Sequence, residues 1–136
     1  MFLLDTNVVS ELRRRHRTNP KVAAWADSVP PSDMFLSAIS ILELETGALL
    51  LGRRDAGRGR LILQWIEDRV LTAFAERVLA VDTAVARRCA HLHVPNPKQY
   101  RDSLIAATAL VHHLIVVTRN GADFEPMAVP VLNPWE

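Results

Sequence analysis

The chain has 136 residues, of which 49% are hydrophobic and 23% charged, with a formal net charge of +1. That is room for one domain, residues 1–136, in globular proportions. A disordered chain and a global polycation are both excluded.

Met1 to Leu4 is a short apolar run, read as a buried strand, and Asp5 ends it too early for a secretory leader. Asp5-Thr6-Asn7 supplies capping residues for a helix over Val8 to Leu12, and Asn19-Pro20 caps a second over Lys21 to Ser28. After the loop Pro30 to Asp33, Met34 to Ser37 reads as a strand. Ser40 to Leu51 reads as a helix, with Ser40 and Glu43 matching a capping box. Gly52 to Gly59 then reads as a charged break, followed by an amphipathic helix over Leu61 to Phe74.

A third strand is expected at Val78 to Val81 and a helix at Thr83 to His93. The helix carries Cys89, the one cysteine, which excludes an intramolecular disulfide and fits a reducing, cytoplasmic setting. Past the loop at Pro95 to Pro97 come a helix over Arg101 to His113, a strand over Leu114 to Thr118, a turn to Phe124 and a last strand at Val129 to Leu132. The longest stretch free of formal charge, Ser103 to Thr118, has 16 residues. A membrane span needs roughly 20, so none is expected. Strands alternating with helices imply a three-layer α/β/α sandwich around a mostly parallel sheet.

Sites in such sheets form beyond the carboxyl ends of the strands. Four acids fall there: Asp5 after the first strand, Asp123 after the strand ending at Thr118, and Glu43 and Asp102 in the first turns of their helices. Each has a bland role as a cap or turn residue. Together they make a cluster of like charges to which only Arg101 and Arg119 are adjacent in sequence, and a divalent cation is the natural counter-charge. Oxygen ligands point to Mg²⁺ or Mn²⁺ and away from zinc. His91 and His93 are spaced to face different ways on a helix, and Glu45 to face away from Glu43. Trp25, Trp65 and Trp135 are scattered and read as packing residues. The basic set comprises 14 arginines and two lysines, with clusters at Arg13, Arg14, Arg15 and Arg17 and at Arg53, Arg54, Arg58 and Arg60. These are candidate contacts for nucleic-acid phosphates.

Met1-Phe2-Leu3-Leu4-Asp5-Thr6-Asn7 resembles the first motif of PIN-domain ribonucleases. Ser37 to Leu44, Asp102 to Ala109, and Thr118-Arg119-Asn120 with Asp123-Phe124 resemble the later ones, in order and with matching spacing. With Asn133-Pro134-Trp135 closing a compact chain, the whole is similar to VapC-type toxins of toxin–antitoxin pairs, in their FitB-like branch. The resemblance implies a Mg²⁺-dependent endoribonuclease, homodimeric and silenced by a cognate antitoxin. It also implies that Asp5, Glu43, Asp102 and Asp123 are the catalytic and metal-binding acids, with Thr6, Asn7, Thr118 and Asn120 as supporting groups. A haloacid-dehalogenase phosphatase would need an aspartate where this chain has Asn7. A non-catalytic RNA- or DNA-binding module on the same fold is the remaining alternative, and all four acids being present speaks against it.

Overall fold

The structure, a computed structural model, describes residues 1–14 and 16–136, so Arg15 of the first arginine cluster lies outside the described residues. Chain order is β1 (Phe2–Leu4), α1 (Thr6–Leu12), α2 (Pro20–Ser28), β2 (Met34–Ser37), α3 (Ala38–Arg54), α4 (Ala56–Trp65), α5 (Leu71–Ala73) and β3 (Val78–Leu79). It continues with α6 (Thr83–Leu92), α7 (Tyr100–His112), β4 (Ile115–Val117), α8 (Gly121–Phe124) and β5 (Val131–Leu132).

The five strands form one sheet in the order β3-β2-β1-β4-β5, every pair parallel. Leu3 of β1 registers with Phe35 and with Val116, and Leu4 with Val117. Period-two alternation sends these neighbours to opposite faces. Leu4, Leu36 and Val117 enter a core with Val8 and Val9 of α1 and Leu44 and Ala48 of α3. Leu3 and Val116 enter a second core with Ile105, Ala106 and Ala109 of α7 and Phe124 of α8. The sandwich is therefore three-layered as expected, and its sheet is wholly parallel. Among the described residues, no helix is long and apolar enough to cross a membrane.

The chain leaves β1 for β2 and β3 on one side, then returns to place β4 and β5 on the other. The order thus reverses between β1 and β4, and there the connections diverge and leave a crevice at the carboxyl ends. The Asp5 N–H closes that edge on the Val117 carbonyl at 2.8 Å.

Three local readings are corrected. The Gly52–Gly59 segment is not a break: α3 runs to Arg54, and only Asp55, extended at φ −147°, separates it from α4. Asp55 ends one helix and caps the next, accepting from the Arg58 N–H at 3.1 Å. The glycines serve a close helix crossing, since a Cβ on Gly59 would lie 2.5 Å from Gly52 Cα. Second, α3 starts two residues early, because Ser37, not Ser40, caps it through the Ile39 N–H at 3.0 Å. Third, the expected helix over 61–74 is α4, then a wide π-type turn at Ile66–Val70, then α5. The turn after β4 also contains α8, and β3 and β5 have two residues each.

Candidate active site at the β1–β4 edge

Asp5 is the N-cap of α1 and almost fully buried, at 7% exposure. Its Oδ1 accepts from the Thr6 N–H at 2.8 Å, and its Oδ2 accepts from Thr118 Oγ1 at 2.8 Å and from Asn7 Nδ2 at 3.3 Å. Thr118, fully buried after β4, itself accepts from the Asn120 N–H at 3.0 Å and from Asn7 Nδ2 at 3.4 Å. With its lone pairs so engaged, the hydroxyl proton is left for Asp5. Asn7 spans the two strand ends, because its Oδ1 accepts from the Arg119 N–H at 3.3 Å.

The second acid comes from α3. Glu43 Oε1 accepts from Thr6 Oγ1 at 3.0 Å, and the same hydroxyl meets Ser40 Oγ at 3.2 Å. Ser40 and Glu43 are three apart on one helix face, so both reach the edge. Because α3 begins at Ala38, Glu43 sits in its second turn and is no partner in a capping box. Asp102 does sit in the first turn of α7. Asp123 projects from α8 and is exposed.

The electrostatics register this convergence. Burial pushes the Asp5 carboxyl up, the hydrogen bonds from Thr118 and Thr6 oppose that, and the charges of Glu43 and Asp123 add to it. Asp102 is pushed up to about 6, first by burial and then by Asp5, Asp123 and Glu43, against a smaller opposing pull from Arg101. All four predicted acids thus share one electrostatic neighbourhood. Thr6, Asn7 and Thr118 enter through their side chains, and Asn120 through its backbone N–H.

Two participants escape a reading of the sequence. Ser40 is fully buried against Thr6, and its match to a cap motif conceals that role. Arg101 places Nη1 3.6 Å from Glu43 Oε2, the single ion pair to this acidic group among the described residues. Adjacency to Asp102 is its only sequence signal. His93 is engaged elsewhere: its Nδ1 accepts from the Lys98 N–H at 3.1 Å and its Nε2 meets Ser103 Oγ at 2.8 Å. Trp25, Trp65 and Trp135 all pack against the first core.

As a donor set the edge offers carboxylate oxygens among hydroxyl and amide groups, with more negative charge than Arg101 offsets, which suits a hard divalent cation. Among the described residues, no three acidic, histidine or cysteine side chains already close into a metal cage.

Comparison with known proteins finds relatives along the whole chain. A family model described as PIN domain matches residues 2–129. The VapC ribonuclease Y4jK of Sinorhizobium fredii is 38% identical, the match covering 100% of this chain and 99% of that protein. The toxin FitB of Neisseria gonorrhoeae is 39% identical over 99% of both. The crystal structure of FitAcB from Neisseria gonorrhoeae superposes with a TM-score of 0.90 at 38% identity, covering 100% of this chain and 99% of that one. The chain belongs to the PIN-domain family, with VapC- and FitB-type proteins as full-length relatives.

Proposed function

We propose that this protein is a Mg²⁺-dependent endoribonuclease and the toxic member of a toxin–antitoxin pair, hydrolysing RNA phosphodiesters at the β1–β4 edge. The observation that carries the reading is the convergence of Asp5, Glu43, Asp102 and Asp123, with Asp5 and Asp102 raised and Arg101 the sole ion-pair partner among the described residues. Full-length similarity to a VapC ribonuclease and to the FitB toxin supports the same assignment.

Asp5 and Asp102 would hold Mg²⁺ or Mn²⁺ directly, and Glu43 and Asp123 would complete the shell. The bound cation supplies polarisation of the scissile phosphate and a lowered pKa for a coordinated water. The chain's own groups do the positioning. Thr118, after β4, and Asn7, on α1, hold the Asp5 carboxylate, and Thr6, also on α1, holds Glu43. The Asn120 N–H fixes the Thr118 hydroxyl in turn.

Two apolar surfaces fit the expected protein partners. A groove of about 160 Å³ between α1 and the α4–α5 segment is lined by Leu12, Trp65, Val70 and Phe74. It suits the antitoxin, which presents an arginine or lysine to the acids of the β1–β4 edge. Leu42, Leu49 and Leu50 are exposed on α3 and suit a second copy of this chain in a homodimer.

A gel assay on cellular RNA tests the enzyme reading. Cleavage disappears in EDTA and returns with Mg²⁺ or Mn²⁺. Full cleavage in the continued presence of chelator sinks the metal mechanism. RNA binding without cleavage in Mg²⁺ would make the protein a non-catalytic binding module.

A further inference from the structure

The acidic edge borders a basic cleft. Asn7, which bonds Asp5 and Thr118, also walls a cavity of about 330 Å³ whose other sides carry Arg13, Arg14 and Arg119 against one carboxylate, Glu11. Glu11 is engaged with Arg14 at 3.8 Å. Arg119 is exposed, and no ion pair to it occurs among the described residues. Its guanidinium lies 5.3 Å over the ring of Trp135, which is anchored against the first core. A second cavity, of about 530 Å³, is also lined by Arg119, so this residue borders two open spaces.

A planar cation backed by an indole is a surface on which an unpaired base stacks. Lysine would carry the same charge without the plane. The position is immediately after Thr118, and the Arg119 N–H bond to Asn7 fixes where the side chain begins. We propose that Arg119, backed by Trp135, is the stacking shelf for an unpaired base of the RNA strand beside the scissile phosphate, with Arg13 and Arg14 taking a neighbouring backbone phosphate. This rests on the ribonuclease reading above and specifies how that site holds its substrate. It also makes the substrate single-stranded at this nucleotide, because a paired base keeps its faces in the helical stack.

The test uses two fluorescein-labelled eight-nucleotide RNA strands, one intact and one abasic throughout, with binding measured by anisotropy in EDTA so that nothing is cut. Wild type is expected to prefer the intact strand by at least about fivefold, the low end for one base-stacking contact. Arg119→Lys is expected to lose that preference, with the salt dependence of binding unchanged because the charge remains. Arg88→Lys, at an exposed position on α6, is the control and keeps wild-type binding. If Arg119→Lys retains wild-type affinity and preference, the shelf is overturned and the ribonuclease reading stands. Equal losses on intact and abasic strands would make Arg119 a phosphate contact and likewise overturn the shelf. If wild type binds neither strand and cuts no RNA in Mg²⁺, both readings fall together.

Discussion

Two regions of this molecule bring groups unusually close, for opposite ends. At the α3–α4 crossing the close approach is steric: Gly59 lies against Gly52 and the Ala48 carbonyl with no room for a methyl group. At the β1–β4 edge it is electrostatic: burial first, and then neighbouring like charges, raise Asp5 and Asp102. The first arrangement lowers the energy of the folded chain, because close packing adds dispersion contacts along two helices. The second raises it, and such local conflict marks sites reserved for a ligand. Substitutions should therefore have opposite signs in the two places.

The largest effect is expected on catalysis. Asp102→Asn or Asp5→Asn keeps shape and hydrogen-bonding capacity and removes a charge from the ligand set. Cleavage in Mg²⁺ should fall by at least about 100-fold, since a bound metal lowers the barrier by several kcal/mol. Single-turnover rates on one labelled RNA measure this. A variant cutting at more than about a tenth of the wild-type rate would remove that aspartate from the metal site.

Next in size is the steric region. In Gly59→Ala the new methyl group meets Gly52 Cα at 2.5 Å and the Ala48 oxygen at 2.9 Å, all of it backbone. Backbone cannot rotate aside, so a loss of about 1–3 kcal/mol is expected. That appears as a lower urea midpoint with cleavage per folded molecule unchanged. Gly47, in the same helix as Gly52, has nothing within 4 Å of the place its methyl group would take. Gly47→Ala should therefore stabilise, by up to about 1 kcal/mol through helix propensity alone. Equal responses at Gly47 and Gly59 would mean that α3 and α4 separate readily.

The two regions are unequally legible in the sequence, for a physical reason. The acids announce themselves through their position after apolar runs, because a parallel sheet gathers its strand ends at one edge. Asp5 and Thr118 need only that rule, and the structure joins them at 2.8 Å. Gly52 and Gly59 mislead because glycine marks a loop and a close helix approach equally well. Only the tertiary partner distinguishes the two. Ser37 and Ser40 both qualify as caps by local rules, and the end of β2 at Ser37 decides between them. The contact of Arg101 with Glu43 joins residues 58 positions apart on different helices, so no local pattern could show it.

The smallest effect is the most direct probe of electrostatic conflict, and its sign can be worked out. Asp102 binds its proton more tightly in the folded state, at about 6 against an ordinary value of 3.8. Between those values the folded chain holds more protons than the unfolded one, so stability falls as pH rises from about 4 to 6. Asp102 is only partly buried, and solvent screening limits the loss to about 1 kcal/mol. Asp102→Asn has no proton to lose there. In EDTA the variant and wild type should melt together near pH 4, and the variant a few degrees higher at pH 7. Saturating Mg²⁺ should reverse the order at pH 7, because binding linkage at 100 times the Kd contributes about 2.7 kcal/mol to wild type and less to the variant. The rival force is the positive end of α7, which favours a charged Asp102 in its first turn. If that force dominates, the variant melts lower than wild type at pH 7 in EDTA. Asp102 would then be a helix-end charge held for stability, and the β1–β4 edge would lose its likeness to a site strained for a cation.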